Sequence, residues 1–188
     1  MAHEASEQQG MVAIRALRWP DDRDRMLALD TSFTTDRIYD VVRTDSSFAL
    51  RDVPVSPARR KVYDLDVDAL PSFDHVVVAE DKDALIGLAA LTFEAWNRRA
   101  VLWHLYVAPA YRGRSVGRHL LDEAVQWAQA ADARCVWLET QNVNYGAIKF
   151  YRAAGFEWCG LDTSLYDPRT TPPDEIALFF VRWLDVDA

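Results

Sequence analysis

Apolar residues along this chain switch between two periods. From Val101 to Val107 bulky side chains alternate and predict a strand, and Pro109 ends its hydrogen bonding. Val116, Leu120, Leu121, Ala124, Val125 and Ala128 then recur at helical spacing. Upstream, Met11 to Leu17 alternates as a first strand, and Trp19-Pro20-Asp21-Asp22 reads as a helix start, with the helix running to about Asp30. Thr31 to Val42 mixes hydroxyl residues with Ile38, Tyr39 and Val42 and predicts a second short helix behind a Thr or Ser cap. Phe48 to Val55 reads as an extended segment with Arg59 to Asp64 as its hairpin arm. Asp64, Asp66 and Asp68 would share one face of a strand, but aspartate favours a solvated loop there.

The pattern is clearer in the second half. Val76 to Glu80 and Leu85 to Phe93 predict a hairpin turning at Asp81-Lys82-Asp83, and Asn97-Arg98-Arg99 turns into the strand Ala100 to Val107. Cys135 to Thr140 is a further strand, Asn144 to Ala154 a helix with Gly155 as a left-handed stop, and Phe156 to Gly160 and Glu175 to Trp183 the last strands. The near-continuous apolar run in the final strand predicts cover on both faces.

Composition narrows the picture. The 188 residues are 50% hydrophobic, enough for one domain with a full core, assigned to residues 11–188 behind a polar N-terminal tail over residues 1–10. No apolar run approaches the roughly 20 residues of a membrane span, and the N-terminus lacks a signal pattern, so a cytoplasmic location without membrane contact is expected. The two cysteines, Cys135 and Cys159, lack metal-ligand spacing; both are expected to be buried thiols, with no metal. His75 and His119 are expected on the surface. The net charge of -8 disfavours nucleic acid and suits a cationic partner. A homodimer is left open.

Against that acidic background, the loop between the central strand and the long helix is basic. Arg112, Arg114 and Arg118 accompany Gly113, Ser115, Val116 and Gly117 where the first helix amides lack partners, an arrangement suited to a phosphate. The loop has neither the Gly-Lys-Ser/Thr of a P-loop nor the three-glycine dinucleotide fingerprint.

Arg112 to Gly117, followed by Asn144, Ala147, Ile148, Tyr151, Gly155 and Phe156, resembles the acetyl-coenzyme A signature of the GNAT superfamily of N-acetyltransferases. Further segments are similar to the streptothricin (nourseothricin) acetyltransferases of antibiotic resistance over nearly the whole chain. These are Ser32-Phe33-Thr34-Thr35-Asp36, Val53-Pro54-Val55, Trp96-Asn97-Arg98-Arg99, Asn142-Val143-Asn144, Cys159 to Thr163 and Leu165-Tyr166-Asp167. The resemblance implies a mixed α/β fold, a mostly antiparallel sheet of six or seven strands flanked by helices, with two parallel central strands splayed apart. It implies acetyl-CoA held by backbone groups of Leu105, Tyr106 and Val107, by the basic loop and by Asn144, and a cationic amine as acceptor. The region 31–42 would roof the substrate side.

Acetyl transfer to an alkylamine needs a proton acceptor, because about one part in two thousand is neutral at pH 7. It also needs an oxyanion donor, expected from a backbone N–H near Val107, and an acid for the departing thiolate. The resemblance implies Tyr151 as that acid. The base stays open between Glu139 and His104, because Trp103, His104 and Tyr106 stand where relatives carry acidic residues. Two further departures are Ser115 in place of a loop glycine, strained if its backbone is left-handed, and Gly146 in place of proline. The implied reaction is transfer to the β-lysine amine of a streptothricin; acetylation of another polyamine or aminoglycoside-like compound, and non-catalytic acyl-CoA binding, are the competing readings.

Overall fold

A computed structural model describes residues 12–184; the tail expected at 1–10 lies outside them. In chain order the elements are β1 (Ala13–Ala16), α1 (Arg23–Leu27), β2 (Phe33–Arg43), β3 (Phe48–Lys61), a 3₁₀ turn (Val67–Ser72), β4 (His75–Asp81) and β5 (Ala84–Glu94). They continue with β6 (Arg99–Val107), α2 (Val116–Ala130), β7 (Cys135–Gln141), α3 (Tyr145–Ala153), β8 (Glu157–Asp162) and β9 (Ala177–Trp183). Seven strands form one sheet in the order β1-β4-β5-β6-β7-β9-β8, and β2 pairs with β3 as a separate two-stranded arm. This is the expected mixed α/β architecture, with β6 and β7 the parallel pair and the other neighbours antiparallel.

One face of the sheet carries α2 and α3. Their stripes, including Leu120, Leu121, Ala124 and Ile148, are buried on Ala89, Leu91, Leu102 and Leu138. The other face is covered by α1 and the 3₁₀ turn, whose Met26 and Leu70 pack on Val78, Leu88 and Ala90. Gly155 ends α3 with φ 86°, as expected of a left-handed stop.

Several expectations require correction. The helix expected over residues 31–42 is absent: Phe33–Arg43 is strand β2. Phe48 to Asp64 is not a hairpin of its own: β3 runs unbroken through Pro54 and pairs with β2, from Phe33 opposite Lys61 to Arg43 opposite Phe48. Pro54, opposite Arg37, is tolerated because each strand of a two-stranded sheet has a free edge, and Pro57 falls in the stretch 55–58 that has no partner on β2. The helix expected to reach Asp30 stops at Leu27. Asp66 caps the 3₁₀ turn by accepting from the Ala69 amide, and Asp68 pairs with Arg23 at 2.7 Å. Cys135 is buried but Cys159 is exposed, because a register shift between Trp158 and Gly160 lifts it off β9. His75 is no open surface residue: it is half-buried, with its ring lying parallel on Trp127, centroids 5.1 Å apart.

Candidate active site

Two irregularities in β6 build the site. The first is its parting from β7. Pairing runs from Arg99 opposite Cys135 to Leu102 opposite Leu138 and stops, so His104 to Val107 and Glu139 to Gln141 face each other across a widening gap. The second is a bulge. Ala90 pairs with His104 and Leu91 with Leu102, leaving Trp103 as the extra residue. Side chains alternate along a strand, so one extra residue exchanges the faces beyond it. Ala100 and Leu102 point to the α2 side before the bulge; Leu105 and Val107 do so after it, and Tyr106 joins the opposite layer with Leu88.

The gap collects polar side chains from five parts of the chain. Tyr63, just beyond β3, donates through its hydroxyl to Gln141 Oε1 at 3.1 Å and accepts from Asn144 Nδ2 at 3.1 Å. Asn144 also caps α3, its Oδ1 accepting from the Ala147 amide at 3.3 Å. Tyr166, from the β8–β9 connection, donates its hydroxyl to Glu139 Oε1. Tyr151 projects from α3, buried between the rings of Phe150 and Phe156, each 5.6 Å away. Phe33, Tyr63, Tyr106, His104 and Phe73 form a continuous row of rings with neighbouring centroids 5.3–5.8 Å apart.

These groups act on one another electrostatically. Burial pushes the Glu139 carboxyl above its ordinary range, against the opposing pull of the Tyr166 hydrogen bond and of Lys61. Burial also pushes Tyr106 up to about 12 and lifts Tyr63 and Tyr151 well above the usual phenol, with the Glu139 charge contributing to all three. Tyr151 therefore stays protonated at any physiological pH. His104 is pushed down by burial alone and its Nδ1 has no hydrogen-bond partner, so it stands as a neutral ring in the aromatic row.

Outside the gap lies a cleft of about 670 Å³ between the arm and the β8–β9 connection, lined by Phe33, Thr35, Lys61, Val143, Asp174 and Glu175. Lys61 is paired with Glu175, and Arg59 Nη1 with Asp174 Oδ2 at 2.6 Å.

The basic loop occupies the other end of the gap. Gly113 has φ 74° and Ser115 φ 63°, ψ 1°, both left-handed, and the amides of the 15-residue helix α2 follow with Val116 buried and Gly117 half-buried. Of the three arginines, Arg112 donates Nε to the Val107 carbonyl at 2.9 Å and Nη2 to the Ser32 carbonyl at 2.6 Å, tying β6 to the start of the arm. Arg118 pairs with Asp122 at 2.9 Å, and Arg114 lies exposed, 5.6 Å over the Tyr111 ring. The loop thus presents backbone amides and Arg114, with the other two guanidinium groups engaged locally.

Of the residues proposed from sequence, Tyr151, Glu139, His104, Tyr106 and Asn144 lie around this gap; Tyr63, Tyr166 and Asn142, which also lie there or beside it, have no role assigned from sequence. Asn142 is 2% exposed; its Nδ2 donates to the carbonyls of Tyr39 at 2.9 Å and Asp174 at 3.1 Å, and its Oδ1 accepts from the Ile176 amide at 2.8 Å. It clips the arm to the body. Continuing the alternation of β3 would have pointed to Tyr63; the other two lie in segments that the family resemblance marks, Asn142-Val143-Asn144 and Leu165-Tyr166-Asp167, without a role for either.

A sheet that splays between parallel strands, with a glycine loop and helix start at the mouth of the splay, defines an acyl-group transferase. The chain belongs to the acetyltransferase (GNAT) family, whose profile matches residues 36–156. It is 39% identical over 170 residues to the streptothricin acetyltransferase of Streptomyces lavendulae, spanning 85% of this chain and 89% of that one. Identity to the streptothricin acetyltransferase of Escherichia coli is 28% over 162 residues, 86% and 91% of the two chains. Among solved structures, a nourseothricin acetyltransferase superposes with TM-score 0.83 at 40% identity, covering 92% of this chain and 98% of that one. A candidate streptothricin acetyltransferase from Bacillus anthracis str. Ames, solved with acetyl coenzyme A, gives TM-score 0.77 at 27% identity, covering 93% and 100%. Among the described residues no helix is long and apolar enough to cross a membrane.

Proposed function

We propose that residues 11–188 act as one domain that transfers acetyl from acetyl-CoA to an amine of the β-lysine moiety of streptothricin-type antibiotics, inactivating them and conferring resistance. The observation that carries the reading is the gap itself: a half-buried carboxylate, Glu139 on β7, and a buried phenol, Tyr151 on α3, lie near enough to act on one another where the strands part beside a helix-start anion loop. The named relatives, alike over most of their length, supply the substrate class.

The residues present fit acetyl-CoA. The unpaired stretch of β6 at Leu105, Tyr106 and Val107 offers backbone groups to an extended amide-bearing arm. The left-handed Gly113 and Ser115 turn the loop so that the amides of Val116 and Gly117 face an anion, with Arg114 adding charge and Asn144 near the arm's path. When bound, the cofactor supplies a thioester acetyl group. The Glu139 carboxylate accepts a proton from the substrate ammonium, leaving the amine lone pair free to attack. Its raised proton affinity suits it to that work near neutral pH better than an exposed carboxylate. A backbone N–H near Val107 faces the developing oxyanion. Tyr151 Oη donates to the departing sulfur and recovers a proton from the nitrogen, which gives up its second one, while Glu139 passes the first on to water. The aromatic row from Phe33 to Phe73 faces the cationic substrate with ring faces that attract an ammonium. The protein acts in the cytoplasm, where the thioester is available.

Thiol release from acetyl-CoA should require nourseothricin, while spermidine and an aminoglycoside stimulate it far less. A chain that binds acetyl-CoA in calorimetry yet releases no thiol with any amine would establish the non-catalytic reading. Tyr151→Phe should lower kcat at least ~10-fold with acetyl-CoA affinity little changed, since the ring and its packing remain. Wild-type turnover in that variant would return Tyr151 to the core of α3.

A further inference from the structure

The β8–β9 connection, residues 163–176, runs mostly in solvent, yet Tyr166 turns inward and is half-buried while Leu165 beside it is 50% exposed. The chain on either side is pinned. Before it, Asp162 Oδ1 accepts from the amide and the hydroxyl of Ser164, each at 2.7 Å. After it, Asp167 Oδ1 accepts from the Arg169 amide at 2.9 Å and the Asp167 carbonyl from the amides of Thr170 and Thr171 at 3.0 Å. Two aspartate-anchored turns therefore bracket one tyrosine, and its hydroxyl ends on Glu139 Oε1.

We propose that Tyr166 is a positioning residue for the reaction: its hydroxyl fixes the Glu139 carboxylate facing the substrate ammonium, an inference that rests on Glu139 being the proton acceptor. Glu139 sits in the middle of β7, between Leu138 and Thr140, both buried, and has no other side-chain donor among the described residues. Without the Tyr166 hydroxyl the carboxylate would face desolvation with only the field of a neighbouring cation. The charged and titratable groups that face it are Lys61 and Tyr63 at the end of the arm, Tyr106 on β6, Tyr151 on α3 and Tyr166. Lys61, the one cation in this set, is shared with Glu175. A hydroxyl donating to a carboxylate favours the ionised form, so its removal raises the pH at which Glu139 gives up its proton.

The discriminating measurement is kcat/KM for nourseothricin across pH, comparing wild type, Tyr166→Phe and Glu139→Gln, each first confirmed by its melting temperature to be folded. Tyr166→Phe keeps the ring and loses only the oxygen. Its acid limb should move up by about one pH unit, so that a loss of about tenfold below neutrality shrinks toward wild type in alkali. A loss that is equal at every pH, or no loss, would reduce Tyr166 to packing and overturn the proposal. Glu139→Gln should abolish the acid limb and lower the plateau. If that variant kept the wild-type profile, the assignment of Glu139 as acceptor would fail instead, whatever Tyr166→Phe does.

Discussion

Ser115 is held at φ 63°, ψ 1°, at the start of α2, and its hydroxyl makes no capping bond there. A left-handed backbone costs a residue with a Cβ about 1–2 kcal/mol; glycine in its place would relieve that strain, and its greater freedom in the unfolded chain would offset part of the gain. Ser115→Gly should therefore stabilise the protein by roughly 0.5 kcal/mol and raise the melting temperature by a degree or two, with acetyl-CoA binding unchanged or tighter. A tenfold weaker affinity would show instead that the hydroxyl is a phosphate ligand. This position was legible because the loop motif announces its own backbone demand. Arg112 was not, since its partners are the Val107 carbonyl and the carbonyl of Ser32, a residue eighty positions away whose approach depends on the whole fold. The same holds for Tyr166 and Asn142. The family resemblance marks the segments they stand in, but the role of each comes from a tertiary partner that no local pattern records.

Among the elements, β4 to β7 and β9 were readable because each is largely apolar and bounded by turn residues, so period and punctuation agree, and short β8 was readable from the Gly155 stop before it. The arm misled for two physical reasons. Ile38, Tyr39 and Val42 happen to fall at helical spacing behind hydroxyl residues, and the register shift between Thr35 and Arg37 breaks the alternation that would have betrayed a strand. Pro54 of β3 reads as a break because a free edge, which excuses it, is a property of the partner. At the opposite edge of the main sheet, short α1 depends on charge. Arg15 grips Asp22 with two bonds of 2.6 and 2.9 Å and reaches Glu80 at 2.6 Å, and Arg25 joins both acids. The Arg15 hydrogen bond holds both carboxyls down at about 2, well below their ordinary range. Because the folded values lie below the unfolded ones, this stabilisation is complete above about pH 4 and is lost as pH falls toward 2. Asp22, at 2% exposure, contributes on the order of 2 kcal/mol on this reasoning. Urea unfolding of Asp22→Asn should show that loss at pH 7, and the gap from wild type should close near about pH 2. A gap independent of pH would assign the loss to the Arg18 amide bond that Asp22 also accepts.

At the scale of the molecule, the candidate site is assembled from two separately hydrogen-bonded sheets. Glu139, Tyr106 and Tyr151 belong to the seven-stranded body, while Lys61, Tyr63 and Phe33 arrive on or beside the arm, which is fastened by Asn142 and by the stack of Tyr39 on Tyr145, centroids 5.2 Å apart. Local openings in proteins cost less than global unfolding, and a two-stranded ribbon with exposed edges stands at the low end of that scale. Warming should thus separate two temperatures. Antibiotic turnover should fall reversibly several degrees below the calorimetric melt, arm amides should exchange hydrogen sooner than those of β5 and β6, and Asn142→Ala should widen the interval by lowering the first temperature more than the second. Coincident temperatures in both proteins would mean that arm and body melt as one. If the two temperatures separate and the proposed function holds, a host cell would lose its protection in heat while the protein itself was still folded, and the working range of resistance would be set by a seam and its clasp, and not by the strength of the core.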